Sequence, residues 1–135
     1  MKKIISSGLI SGIIVSIISY GSLFLAIQFL PMLFVDYNNP LFSSDGSRDA
    51  MFYAHAFIIS MALSVAWERF KGMLRGNLLL RAFEFSLMYA LIAILPVMWI
   101  CFSAMDITVL MVVSWLLYGF MQAFVAGIVF GKINP

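Results

Sequence analysis

The sequence predicts an all-α membrane protein: a four-transmembrane-helix antiparallel bundle with both termini on the cytoplasmic side. Composition supplies two observations, because 64% of the 135 residues are hydrophobic and only 10% are charged. Soluble domains contain about 45–50% apolar and about 25% charged residues. The third observation is a set of four charge-free stretches of 32, 18, 21 and 25 residues, at positions 4–35, 50–67, 85–105 and 107–131. Each stretch reaches the roughly 17–25 residues that a helix needs to cross a bilayer.

The first half of the chain predicts two spans separated by a polar loop. The first span covers about residues 5–30, and Pro31 follows at its end, where a missing backbone donor does little harm. Residues 36–47 are rich in Asp, Asn, Ser and Gly, which is typical of an irregular loop. The second span covers about residues 50–68.

The second half predicts two further spans joined by short connections. Gly72 and Gly76 lie in a connection short enough to make the second and third helices antiparallel neighbours. The third span covers about residues 80–104 and contains Pro96, which predicts a kink in its later half. The fourth covers about residues 107–131, so residues 1–135 form a single integral membrane domain with no room for a second core.

The distribution of basic residues predicts the orientation. Cytoplasmic segments of membrane proteins are enriched in Lys and Arg. Arg48 lies apart from the other seven basic residues, which fall at the termini and in the connection between the second and third spans: Lys2, Lys3, Arg69, Lys71, Arg75, Arg81 and Lys132. This pattern predicts a bacterial-type cytoplasmic (inner) membrane protein with both termini in the cytoplasm. The lipid bilayer is the expected partner, and nucleic acid is not.

The sequence offers no recognisable catalytic or cofactor-binding motif. The single cysteine, Cys101, has no second cysteine with which to form a disulfide or a redox pair. The chain lacks H-E-x-x-H, G-x-S-x-G and C-x-x-C. We therefore predict no catalytic residue, no metal and no cofactor.

Two stripes of small residues mark helix-packing faces. Small residues let membrane helices approach closely, and a four-residue spacing keeps them on one face. The first helix carries Gly8, Gly12 and Ser16, and the fourth carries Gly119, Ala123, Gly127 and Gly131. Two interpretations are open: a face for dimerisation or assembly into a larger complex, and close packing within one chain.

Ionisable and polar residues within the spans are candidates for a ligand or ion site, because each is costly to place in hydrocarbon. Arg81 lies three residues before Glu84, a spacing that allows the two to pair on one helix face. Together with Tyr89 and Gln122 they predict a polar cluster toward the cytoplasmic side. The structural alternative is a salt bridge and an interhelical hydrogen bond.

His55 is the second candidate site. Its expected neighbours near the outer face are Asp49, Tyr53, Gln28 and Asp106. A histidine at this depth can relay protons, because its unperturbed pKa is near 6.5, or it can donate one structural hydrogen bond.

A polar face is also predicted on the fourth helix. Trp115, Tyr118 and Gln122 follow one another at spacings of three and four residues, so they share a face that we expect to point into the bundle.

Three functional hypotheses follow from these patterns. The first is a non-enzymatic, self-assembling or accessory membrane component, based on the small-residue stripes. The alternative is a small transporter or channel that uses the intramembrane polar residues. A weaker alternative is a lipid-modifying enzyme, for which Glu84 and His55 are the available acid and base.

Overall fold

Four long helices make up most of the chain, and each is long and apolar enough to span a membrane: Lys2–Phe29, Asp49–Phe70, Leu78–Ala104 and Val109–Ile133. The computed structural model describes residues 1–38, 40, 42 and 45–135, with Asp36 described by its backbone alone. Within these residues the regular structure is entirely helical, and no strand occurs. The shortest of the four helices has 22 residues and extends about 33 Å. The predicted all-helical class, with four helices long and apolar enough to span a membrane, is confirmed.

Each long helix begins and ends within three residues of the predicted bounds. Side chains cap two of the four amino ends. The Leu80 backbone N–H donates to Oδ1 of Asn77 at 2.9 Å, where the third helix begins. The Met111 backbone N–H donates to Oγ1 of Thr108 at 3.3 Å, where the fourth begins. These caps satisfy backbone donors that have no partner inside the helix, so the helices start at these residues.

The segment after the first helix lies against the fourth helix. It begins with a 3₁₀ helix, Pro31–Asn38. The indole N–H of Trp115 donates to the hydroxyl of Tyr37, and the Phe42 ring meets the Trp115 ring edge-on at 6.3 Å between centroids. These contacts hold the segment near the start of the fourth helix; positions 39, 41, 43 and 44 of the predicted loop lie outside the described residues.

The third helix contains one irregular turn. Ala90–Ile94 forms a π-helical turn between two α-helical parts, Leu78–Tyr89 and Leu95–Ala104. Pro96 has no backbone N–H, so it cannot make the regular α-helical bond to the carbonyl of Ile92. The wider turn directly before Pro96 lies where the sequence predicts a kink, and interruptions of this kind are frequent at functional sites.

Hydroxyl groups join the first and second helices. The Ser11 hydroxyl donates to the Ser60 hydroxyl at 3.4 Å, and the Tyr20 hydroxyl donates to the Tyr53 carbonyl at 3.1 Å. In these contacts the residue number rises along the first helix and falls along the second. The two hydrogen bonds therefore set the axial register of this helix pair.

The small-residue stripe of the first helix lies against the second helix. A Cβ added at Gly8 would lie 2.6 Å from the sulfur of Met61, and one added at Gly12 would lie 2.6 Å from Cδ1 of Phe57. The Ser16 hydroxyl donates to the Gly12 carbonyl of its own helix at 2.7 Å. Glycine at these two positions lets large side chains of the second helix reach the backbone of the first.

The stripe of the fourth helix packs in the same way against the third helix. A Cβ added at Gly127 would lie 3.0 Å from Cα of Ala82, and additions at Gly119 and Gly131 would crowd side chains of the third helix. Ala123 is fully buried. Both stripes thus make close contacts within one chain.

Replacing Gly127 with alanine tests this close approach. The new methyl group meets backbone as well as side chain, so the two helices must separate, and such overpacking costs about 1–3 kcal/mol. We expect a lower free energy of unfolding in detergent micelles, despite a gain of up to about 1 kcal/mol in helix propensity. Gly21→Ala is the matched control, because a Cβ at Gly21 meets nothing within 4 Å. Equal effects of the two substitutions would contradict the packing described here.

Candidate intramembrane ligand site

The candidate polar residues lie in two separate regions of the molecule. Glu68, Lys71 and Asn134 line a surface pocket beside the first residues of the chain, and we call this end of the helices the basic end. Arg48 lies at the opposite end, which we call the loop end. Arg81 and Glu84 lie near the basic end, whereas His55, Tyr89 and Gln122 line a cavity toward the loop end.

The cavity has a volume of about 700 Å³ and lies between the second, third and fourth helices. Small-molecule sites typically occupy about 300–1,000 Å³. Trp115, Tyr118 and Gln122, which share a face by their spacing in the sequence, all line the cavity. Its remaining walls come from the other two helices and are largely apolar: Met51, Phe52, Ile59, Ala93, Ile94, Val97 and Met98.

Gln122 is the most deeply buried polar residue of the cavity lining, with only 1% of its surface exposed. Its side-chain amide donates to the Ser19 hydroxyl of the first helix at 3.0 Å. Its carbonyl oxygen, Oε1, has no hydrogen-bond partner among the described residues. A buried acceptor without a donor costs about 1–3 kcal/mol, so a ligand donor group that reached this oxygen would recover that cost.

His55 and Tyr89 add two further polar groups to the same cavity. Both line it, His55 from the second helix and Tyr89 from the last α-helical position before the π-turn. The described residues offer no hydrogen-bond partner to the His55 imidazole. Neither Gln28 nor Asp106 lines the cavity, and Tyr53, another expected neighbour of His55, contacts Tyr20 instead.

The cavity lining is unbalanced in charge. Arg48, directly before the second helix, is the one charged residue among the described side chains that line it. No Asp or Glu belongs to that lining, and the neighbouring Asp49 is not part of it. The cavity therefore combines a cation at the loop end, an aromatic and methionine-rich wall and an amide acceptor at depth.

Arg81 and Glu84 do not form an ion pair in the described structure. The Arg81 guanidinium lies over the Trp67 ring, 5.3 Å from its centroid, and donates to the Lys71 carbonyl at 3.4 Å. Glu84 instead accepts a hydrogen bond from the Arg75 backbone N–H at 3.4 Å. Both side chains therefore bind the connection between the second and third helices rather than each other.

The axial register explains why these two residues are separated from Gln122. Gly127 of the fourth helix lies beside Ala82 of the third. This register places Glu84 opposite position 125 and Gln122 opposite position 87, so Gln122 lies about 4.5 Å from the level of Glu84 and about 3 Å from that of Tyr89. The predicted four-residue cluster is thus divided, and its two deeper members lie with His55 in the cavity.

Asn134 is a buried polar residue at the basic end that the sequence analysis missed. It is 1% exposed. Its carbonyl accepts a hydrogen bond from the Trp67 indole at 2.9 Å, and its Oδ1 accepts one from the Lys71 ammonium at 2.8 Å. Its amide donates to Glu68, which also pairs with Lys71 at 3.2 Å. A single Asn near the end of a helix gives no sequence signal of these partners.

Comparison of the chain with protein family models, with curated proteins and with solved structures finds no match.

Replacing Trp67 with phenylalanine tests the packing at the basic end. Trp67 is fully buried, and the substitution removes ring volume and the indole hydrogen bond and weakens the cation–π contact with Arg81. We expect the free energy of unfolding in detergent micelles to fall by about 2–4 kcal/mol. Trp99→Phe is the matched control, because Trp99 is 77% exposed, and we expect a change within about 0.5 kcal/mol. A similar loss in both variants would show that Trp67 has no special role.

Proposed function

We propose that this chain is a small transporter-type membrane protein that binds its ligand in the cavity between the second, third and fourth helices. One observation carries the proposal: among the described residues the buried Oε1 of Gln122 has no hydrogen-bond donor, and Gln122 lines a cavity of about 700 Å³. His55 and Tyr89 line the same cavity. A mostly apolar cavity with a few convergent polar groups is the usual form of a small-molecule site.

The small-residue stripes favour this proposal over a self-assembling or accessory component. That hypothesis needs the stripes as faces for a second chain. Gly8 and Gly12 are already in contact with the second helix, and Gly127 is in contact with the third. Assembly into a homo-oligomer or a larger membrane complex stays a prediction that these residues do not support.

The candidate acid and base of a lipid-modifying enzyme lie far apart. Glu84 accepts a hydrogen bond from the 71–77 connection at the basic end, whereas His55 lines the cavity. General acid–base catalysis needs both groups within hydrogen-bonding reach of one substrate. The geometry therefore favours ligand binding over this chemistry, and we expect Glu84→Gln to leave binding in the cavity unchanged.

We further propose an antiparallel bundle in a bacterial-type inner membrane, with both termini in the cytoplasm. The contacting residue numbers of the first and second helices run in opposite senses, as do those of the third and fourth. Seven of the eight basic residues belong to the termini and to the connection between the second and third helices, which supports a cytoplasmic basic end. The cavity then opens toward the outer leaflet, with Arg48 at the outer interface.

Cysteine labelling tests the cavity and its orientation together. In a Cys101→Ala background, we compare Met98→Cys, whose side chain lines the cavity, with Ile100→Cys, which is exposed but outside it. The two positions differ in depth by only about 3 Å. Because a thiolate forms only in contact with water, we expect a membrane-impermeant methanethiosulfonate to label Met98→Cys about ten times faster in right-side-out vesicles.

The same measurement distinguishes the ways in which the proposal can fail. Equal, slow labelling of Met98→Cys and Ile100→Cys from both sides of the membrane would contradict a water-accessible cavity. Labelling of Met98→Cys only in inverted vesicles would contradict the proposed orientation. Labelling of Ile100→Cys alone would place the accessible surface on the wrong face of the third helix.

A further inference from the structure

The charge of the cavity lining discriminates between classes of ligand. Arg48 provides one positive charge at the loop end, and no described Asp or Glu lines the cavity to balance it. The exposed Arg48 guanidinium attracts an anion and repels another cation. A positively charged ligand would find no carboxylate partner among these side chains. The lining therefore favours an anion whose acidic group stays near the membrane surface.

The wall of the cavity determines the body of that ligand. Phe52, Trp115 and Tyr118 contribute aromatic surface, and Met51 and Met98 contribute flexible thioether side chains. Methionine and aromatic side chains adapt to apolar ligands of irregular shape. The acidic group must therefore be attached to a hydrocarbon or aromatic body.

The depth of Gln122 determines the length of the ligand. Phe130 packs on Trp67 with 6.0 Å between ring centroids. The second and fourth helices both run from the loop end to the basic end. Gln122 lies eight residues before Phe130, and Ile59 lies eight residues before Trp67. Gln122 and Ile59 are therefore at about the same level along the bundle axis. Ile59 lies about 16 Å along the second helix from Arg48. The Arg48 and Gln122 side chains each cover part of this distance. An extended ligand chain of about ten carbons covers the rest.

The far end of the ligand must satisfy a specific acceptor. The Gln122 amide N–H donates to Ser19, and its Oε1, a carbonyl oxygen that can only accept, has no partner among the described residues. A hydroxyl or amide N–H at the deep end of the ligand can donate to it, whereas a methyl group leaves it unpaired. Sites of this kind reject ligands that lack the donor.

We propose that the cavity binds an amphipathic organic anion, with its acidic group at Arg48, its apolar body against the aromatic wall and a hydrogen-bond donor at Gln122. The inference rests on the proposed function, that the cavity is a ligand site. It adds the chemical class of the ligand and the direction in which the ligand lies.

Reagent charge provides the first test. The Met98→Cys, Cys101→Ala protein in phosphatidylcholine vesicles is treated with an anionic sulfonatoethyl and with a cationic trimethylammonioethyl methanethiosulfonate. Each rate is divided by the rate of the same reagent with free cysteine. We expect a normalised preference for the anion of about tenfold. Arg48→Gln should abolish the preference, and Arg69→Gln, which removes a charge at the basic end, should preserve it.

Protection by amphiphiles provides the second test. The probes share a ten-carbon chain: decanoate, 10-hydroxydecanoate, decanol and decyltrimethylammonium. We expect 10-hydroxydecanoate to protect Met98→Cys at a concentration about ten times lower than decanoate, and decanoate to protect better than the alcohol or the cation. Gln122→Met should remove the advantage of the hydroxyl group. Protection by added phosphatidylglycerol alone would identify the anion as a bilayer lipid.

The outcomes separate this inference from the proposed function. If Met98→Cys is labelled but the cation protects best, or if Arg48→Gln leaves the reagent preference intact, the ligand class is wrong and the cavity remains a ligand site. If Met98→Cys is not labelled at all, the proposed function itself fails. Should Gln122→Met not fold, Arg48→Gln still decides the result, because Arg48 is an exposed residue outside the packed core.

Discussion

The buried indole of Trp67 is the contact on which the rest of the structure depends. Its ring packs against Phe85 at 5.2 Å and Phe130 at 6.0 Å between centroids, so it joins the second, third and fourth helices. Its N–H donates to Asn134, and an unsatisfied donor would be costly at this position. Because three helices meet on one side chain, their axial register near the basic end has little freedom.

The cavity follows from the contrast between the two ends of the molecule. Toward the basic end, glycines such as Gly127 bring helix backbones into contact. Toward the loop end, the third helix is interrupted by the π-turn before Pro96, and two residues of that turn, Ala93 and Ile94, line the cavity. A packed half thus holds Gln122 in place, and the cavity lies beside it in the open half. Because the packed half already holds the Gln122 side chain in one position, ligand binding loses less side-chain conformational entropy.

Sequence reasoning predicted the elements and their faces better than their contacts. Charge-free stretches locate the four spans, and the spacing of Trp115, Tyr118 and Gln122 places them on one face. Sequence periodicity predicts which face of a helix a residue occupies, but it does not predict how far one helix is shifted along its axis relative to a neighbour. A shift of three residues moves a side chain by about 4.5 Å along the axis. For this reason the sequence predicts Gln122 beside Glu84, whereas in the structure Gln122 and His55 line the same cavity. The partners of Asn134 are more than 60 residues away in the chain, beyond any local pattern.

The most direct test of the account is nuclear magnetic resonance of the two glutamine side chains in lipid nanodiscs. The chain contains only Gln28, which is exposed, and Gln122, which lines the cavity, so labelling glutamine with ¹⁵N gives two side-chain amide signals. On titration with 10-hydroxydecanoate, the account predicts a saturable shift of the Gln122 signal and none for Gln28. A Gln122 signal that stays fixed, or that moves only in parallel with Gln28, would contradict a ligand site at this residue.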